Sequence, residues 1–154
     1  MVKKASFFCS LYLDSDKLFD AEKLDEIFNV KRKNHIKKQD YSWGIDNGGY
    51  KDYFSLKEAA ADFFEQIKGK IDDIKNVCGS LGLERPLIIF EIIVYDNCFP
   101  ELCLDGEVMD VIHALNADVH FNISNEESNF NKTIDQGLNM LKGLIKAGGV
   151  LPGE

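Results

Sequence analysis

The chain has 154 residues, 45% of them hydrophobic and 29% charged, enough for one domain that buries about 70% of its unfolded surface with no need of disulfides or a structural metal. Its formal charge of −8 disfavours general attraction to phosphate backbones, and no run approaches the roughly 20 apolar residues of a membrane span. Nucleic acid and membrane are therefore set aside as partners, and no cofactor is expected.

Met1-Val-Lys-Lys before an apolar stretch superficially resembles an export signal, but the stretch lacks a small-x-small cleavage site and runs straight into Asp14-Ser15-Asp16. A cytoplasmic location is the expectation. Ala5 to Leu13 instead alternates, with Phe7, Cys9, Leu11 and Leu13 on one face and Phe8, Ser10 and Tyr12 on the other, which predicts a first strand. Asp20 is placed to cap a short helix whose Leu24, Ile27 and Phe28 point inward. Tyr41, Trp43 and Ile45 then alternate with Ser42, Gly44 and Asp46 up to the turn Asn47-Gly48-Gly49, a second strand.

Ser55-Leu56-Lys57-Glu58 is a capping box, with Glu58 expected to reach back to the cap's own amide. It opens a long helix whose Leu56, Ala60, Phe63, Ile67, Ile71, Ile74 and Cys78 form one apolar stripe across Gly69. Leu87 to Tyr95 is β-branched and apolar on both faces, the pattern of a central strand covered above and below. Asp105 caps a short helix bearing Val108, Val111, Ile112 and Leu115, and Val119, Phe121 and Ile123 alternate with His120 and Asn122 in a fourth strand. Phe130, Ile134, Leu138, Leu141 and Leu144 mark a last helix that stops at Gly148-Gly149.

The order βαβαβαβα predicts an α+β domain over residues 1–147 and a tail over 148–154. The favoured architecture is a ferredoxin-like four-stranded sheet with an inserted long helix and a C-terminal helix; the alternative is an open α/β sheet.

Chemistry concentrates on Glu91, which shares its strand face with Leu87, Ile89, Ile93 and Tyr95. A carboxylate among apolar neighbours needs a partner, and an unpartnered one becomes a candidate acid or base. His120 and Tyr12 belong to the same face if the strands register as proposed, so Glu91, His120 and Tyr12 form a candidate polar cluster; a structural carboxylate, paired locally or lying at the sheet's rim, is the favoured reading of Glu91. Lys31, Arg32, Lys33, Lys37 and Lys38 make a basic run around His35 with no acidic residue in it. That run reads as a solvated loop or as a dock for an acidic partner.

The remaining candidates reduce to structure. Asp14, Asp16 and Asp20 lack the glycine and bidentate glutamate of a calcium loop, so a turn and a cap account for them. Cys9, Cys78, Cys98 and Cys103 contain no Cys-x-x-Cys pair and read as reduced thiols. His35, His113 and His120 have no ligand partners at metal spacing, and His113 is expected in solvent. Trp43 reads as a core anchor. Motifs for hydrolase, NTPase and dehydrogenase chemistry are absent from the sequence.

The opening strand, Asp20 to Phe28, Asp40 with Trp43, the amphipathic helix, the apolar strand and Leu115 to Ile123 together resemble an uncharacterised bacterial family, domain of unknown function 4279. The resemblance spans about residues 5 to 125, though Gln39 stands where that family commonly has glycine before Asp40. It implies a compact bacterial α+β domain and supplies no activity or catalytic residue.

Three functions follow as expectations. The first is a non-catalytic protein-binding module, immunity-like or accessory, whose acidic surface meets a basic partner. The second is a small-molecule binder or enzyme using Glu91, His120 and Tyr12. The third is a homo-oligomer joined through a strand edge or the C-terminal stripe.

Overall fold

A computed structural model describes residues 4–31, 39–127, 137, 138, 140 and 141. Strand β1 (Ala5–Asp20) carries the alternation read from sequence: Ala5, Phe7, Cys9, Leu11 and Leu13 are fully buried on one face. It runs on past Leu13, with a register irregularity between Asp14 and Phe19. Helix α1 (Glu22–Phe28) follows directly. The Asp20 carboxylate accepts from the Glu22 amide at 2.9 Å, yet Asp20 is still strand, and the capping position itself is held by Ala21. The chain leaves α1 through Asn29 in the left-handed region, φ 53°, a conformation that asparagine tolerates better than most residues.

Strand β2 (Gln39–Asp46) pairs antiparallel with β1. Trp43 is the expected anchor: it is buried, its Nε1 donates to Asp25 Oδ1 at 2.9 Å, and its ring lies 5.0 Å from that of Phe28. Gly48 and Gly49, at φ 87° and 125°, then let the chain turn tightly. A short strand β3 (Lys51–Tyr53) returns to pair with Ala5, Ser6 and Phe7 of β1. Three residues are too few to show a period, so β3 was not legible as a strand.

Ser55 caps α2 (Leu56–Phe64) as expected, its Oγ accepting from the Glu58 amide at 3.2 Å. Glu58 reaches back one residue further than a standard capping box, accepting from the Phe54 amide at 3.2 Å. The single long helix is corrected: its stripe is shared by α2, a 3-10 turn (Lys68–Lys70) and α3 (Ile71–Leu81). The break falls at Gly69, the poorest helix former in the segment. A Cβ at Gly69 would meet nothing within 4 Å and its φ lies outside the left-handed region. Gly69→Ala is therefore expected to stabilise by about 0.4–1 kcal/mol through the unfolded chain, raising Tm by roughly 1–4 °C. A Tm that falls instead would show that the turn needs glycine.

Strand β4 (Leu87–Tyr95) lies between β1 and β5 (Asp118–Glu126), with α4 (Gly106–Ala114) crossing from β4 to β5. Asp105 caps α4, accepting from the Val108 amide at 2.9 Å. The result is an α+β fold on a five-stranded sheet of order β2-β1-β4-β5, with β3 also on β1. Its topology differs from the ferredoxin-like expectation. In a split β-α-β unit the parallel strands are separated by a third, whereas β1 and β2 are antiparallel neighbours and β4 and β5 are parallel neighbours. The all-parallel alternative is likewise met only at that last pair.

The apolar strand is central, as expected, but it is not sandwiched. Ile88, Phe90, Ile92 and Val94 are fully buried, while Leu87, Ile89, Glu91, Ile93 and Tyr95 on the other face are half-buried. Every buried apolar residue of the sheet points to the helix side, where the side chains of α2, α3 and α4 complete one core. Among the described residues no second layer covers the opposite face. Of the last helix, residues 137, 138, 140 and 141 are helical; the rest of that stripe and the tail 148–154 lie outside the described residues.

Candidate functional site on the open sheet face

Strand register decides which side chains share the uncovered face. Ser6 lies opposite Ile93, Phe8 opposite Glu91, Ser10 opposite Ile89 and Tyr12 opposite Leu87. Across the parallel pair, His120 lies opposite Ile89 and Asn122 opposite Glu91. Glu91, His120 and Tyr12 thus do occupy one face, but they do not form one cluster. Tyr12 sits four residues along β4 from Glu91, about 13 Å at strand spacing, and its ring covers Gly44. A Cβ on Gly44 would stand 2.7 Å from Tyr12 Cδ1, so glycine is required there by the close approach of the ring. His120 is exposed on the edge strand, diagonal to Glu91.

The side chain that meets Glu91 is Tyr50, which follows the Gly48-Gly49 turn and lines the same cleft. Partial burial first, then the neighbouring Glu91 carboxylate, raise the Tyr50 hydroxyl above its ordinary value, with Glu126 and Tyr95 adding to the rise. The Tyr50 ring also lies 5.5 Å from that of Phe8. A second chain of hydroxyls runs alongside. Ser6 Oγ donates to Asp52 Oδ1 at 2.7 Å and lies 2.8 Å from the Tyr95 hydroxyl. With its one proton committed to Asp52, Ser6 accepts from Tyr95.

The face therefore has a definite character. Its half-buried floor is Phe8, Tyr12, Leu87, Ile89 and Ile93. Around that floor the strand positions facing the same way carry Asp14, Asp46, Asp52, Glu91, Asp118 and Glu126 and no lysine or arginine, with Asp118 ion-paired to Arg85 at 3.2 Å. A shallow cleft of about 410 Å³ opens between Tyr50, Glu91, Asn122 and Ser124. Tyr50, Ser6 and Asp52 were missed from sequence because two of them depend on β3 and its turn, which periodicity does not show. The pair Asn47-Gly48-Gly49 and Tyr50 was the available signal, since a tight turn returns the next residues to the sheet.

Comparison with protein-family models, curated proteins and solved structures returns no match to this chain.

The other sequence candidates fall elsewhere. Lys31 is exposed just beyond α1, while Arg32, Lys33, Lys37 and Lys38 lie outside the described residues, as does His35. His113 is exposed on α4, as expected. Asp14, Asp16 and Asp20 are strand residues of β1, and among the described residues no group of three or more His, Cys, Asp or Glu is placed to hold a metal ion. The four cysteines are free thiols. Cys9 faces the helix side, where burial, with help from the charge of Asp62, pushes its thiol up to about 12; such a thiol is no nucleophile near neutral pH.

Proposed function

We propose that this protein is a non-catalytic protein-binding module, immunity-like or accessory in kind, whose open sheet face receives a basic surface of another protein. One observation carries the reading: among the described residues this half-apolar sheet face has no covering layer, and its strand positions carry carboxylates and no lysine or arginine. Apolar floor and polar rim are the anatomy of a protein interface, and single-signed charge steers and orders an oppositely charged partner. The formal charge of −8 acts in the same direction. The resemblance to domain of unknown function 4279 is compatible with a compact bacterial module of this kind and adds no activity.

A lysine- and arginine-rich peptide serves as probe. Titrated into the labelled protein, it is expected to shift amide resonances of Ser10, Ile89, Glu91 and Tyr50 rather than those of α2 and α4. Raising salt from about 50 to about 300 mM should weaken binding by roughly tenfold, because exposed charges are screened over a shorter length. The double variant Asp52→Lys/Glu91→Lys should abolish the shifts at low salt. Shifts spread evenly over both faces, or binding indifferent to salt and to the charge reversal, would overturn the reading.

The cleft between Tyr50 and Glu91 favours a second reading, a binder of a small cationic molecule. Tyr50 offers an aromatic face and Glu91 a counter-charge, the pairing that holds organic cations elsewhere. Saturation by a small amine confined to Tyr50, Glu91, Asn122 and Ser124 would select it over the peptide reading.

A further inference from the structure

A separate surface, on the helix side, is also incomplete. Toward that side β5 is apolar, yet Phe121 and Ile123 remain 48% and 46% exposed. Beside them Leu104, Met109 and Ile112 border a cleft of about 430 Å³ between α4 and β5. Core-facing positions of a strand do not ordinarily stay half open to water, and adjoining apolar groups of this size mark a contact surface.

We propose that this cleft is the docking site of the same chain's C-terminal segment, residues 130–144, lying as an amphipathic helix with Phe130, Ile134, Leu138, Leu141 and Leu144 toward β5 and α4. Residues 137, 138, 140 and 141 are already helical, and Leu138 and Leu141 are 50% and 54% exposed, an apolar face left half open.

Connectivity selects this occupant. The stripe begins at Phe130, four residues past the end of β5 at Glu126, a span of at most about 14 Å. A segment so tethered has a far higher effective concentration at the neighbouring cleft than a second copy of the protein has. Its length matches: Phe130 to Leu144 as helix is about 21 Å, and β5 is about 30 Å. The chemistry of β5 selects the side. Toward the helices it presents Val119, Phe121 and Ile123, and toward the open face His120, Asn122 and Ser124. A helix running back along β5 buries its leucines only on the first. Residues 130–146 carry Lys132, Lys142 and Lys146 against one acid, Asp135, so the acidic body attracts rather than repels the segment.

The full chain tests this by nuclear Overhauser contacts and amide exchange. Methyls of Leu138 and Leu141 are expected to contact the Phe121 ring and Ile123, within one molecule, in a sample mixing labelled and unlabelled protein. Amides of residues 137–141 should exchange at least about tenfold more slowly than in the variant Leu138→Asp/Leu141→Asp, since docking suppresses local opening. Ile123→Asp, on the receiving strand, should remove the same protection although it leaves the segment's own sequence intact. Absence of these contacts, contacts to Ile89 or Ile93 on the open face, contacts only between molecules, or protection unaltered by Ile123→Asp would each overturn the proposal.

Discussion

Phe90→Ala is expected to cost about 3–5 kcal/mol of stability, the range for emptying a phenylalanine site in a close-packed core. Phe90 has no exposed surface and is the middle ring of three, 6.4 Å from Phe64 of α2 and 5.4 Å from Phe121 of β5. It therefore joins helix layer to sheet and the central strand to its edge neighbour. Removing it leaves a cavity between Phe64 of α2 and Phe121 of β5. Against a total stability of about 5–15 kcal/mol for a domain of this kind, the variant should unfold at a urea midpoint lower by roughly 1–3 M. Phe121→Ala, which removes the outer ring of the three rather than the middle one, should cost less than Phe90→Ala. A Phe90→Ala loss below about 1.5 kcal/mol would mean that the three rings are not packed as one stack.

That stack also shows why much of the fold was legible. Residues that alternate or recur at helical spacing announce where they go, because burial enforces the period. Phe7 to Leu13, Trp43, the stripe from Leu56 to Cys78 and one face of the apolar strand, Ile88, Phe90, Ile92 and Val94, lie in the core where their pattern placed them. What periodicity does not carry is pairing. Whether β1 meets β4 parallel or antiparallel depends on the path of the connection, and the ferredoxin-like order was inferred from element order alone. Burial on the second face of β4 misled for a related reason. Ile89 and Ile93 are as apolar as Ile88 and Ile92, but their neighbours across the strands are polar: buried Ser10 and Ser6 on one side, exposed His120 and Ser124 on the other.

The candidate site was half legible by the same logic. Glu91 stood out because a charge interrupts an apolar run, and its face was assigned correctly from parity. Its partners were not, since Tyr50 reaches it through a turn and a three-residue strand, and Asp52 reaches Ser6 the same way. Sequence parity names the face on which a residue stands, and only register names its neighbours.

Alkaline conditions should expose the other buried titratable group, Cys9, and the sign of its effect follows from where each state holds the proton. In the unfolded chain the thiol titrates at its ordinary value of 9.0; in the fold, burial and the charge of Asp62 push it up to about 12. Below pH 9 both states hold the proton and Cys9 contributes no pH dependence. Between pH 9 and 12 the unfolded chain releases a proton that the native state retains, so stability falls by roughly 1.4 kcal/mol per pH unit, on the order of 4 kcal/mol in all. Half-buried Cys78, also raised by burial, adds a loss of the same sign that begins at its ordinary value of 9.0. Tyr53 is pushed from 10.0 to about 12 by burial and by its hydrogen bond to Asp62, and it adds to the slope only above pH 10. Cys9→Ala should therefore flatten the urea midpoint between pH 9 and 10, leaving only the Cys78 part, while the slope above pH 10 persists through Tyr53. A variant whose midpoint declines as steeply as the parent's between pH 9 and 10 would show that the Cys9 thiol is reachable by water, and with it that the helix-side core around β1 is open.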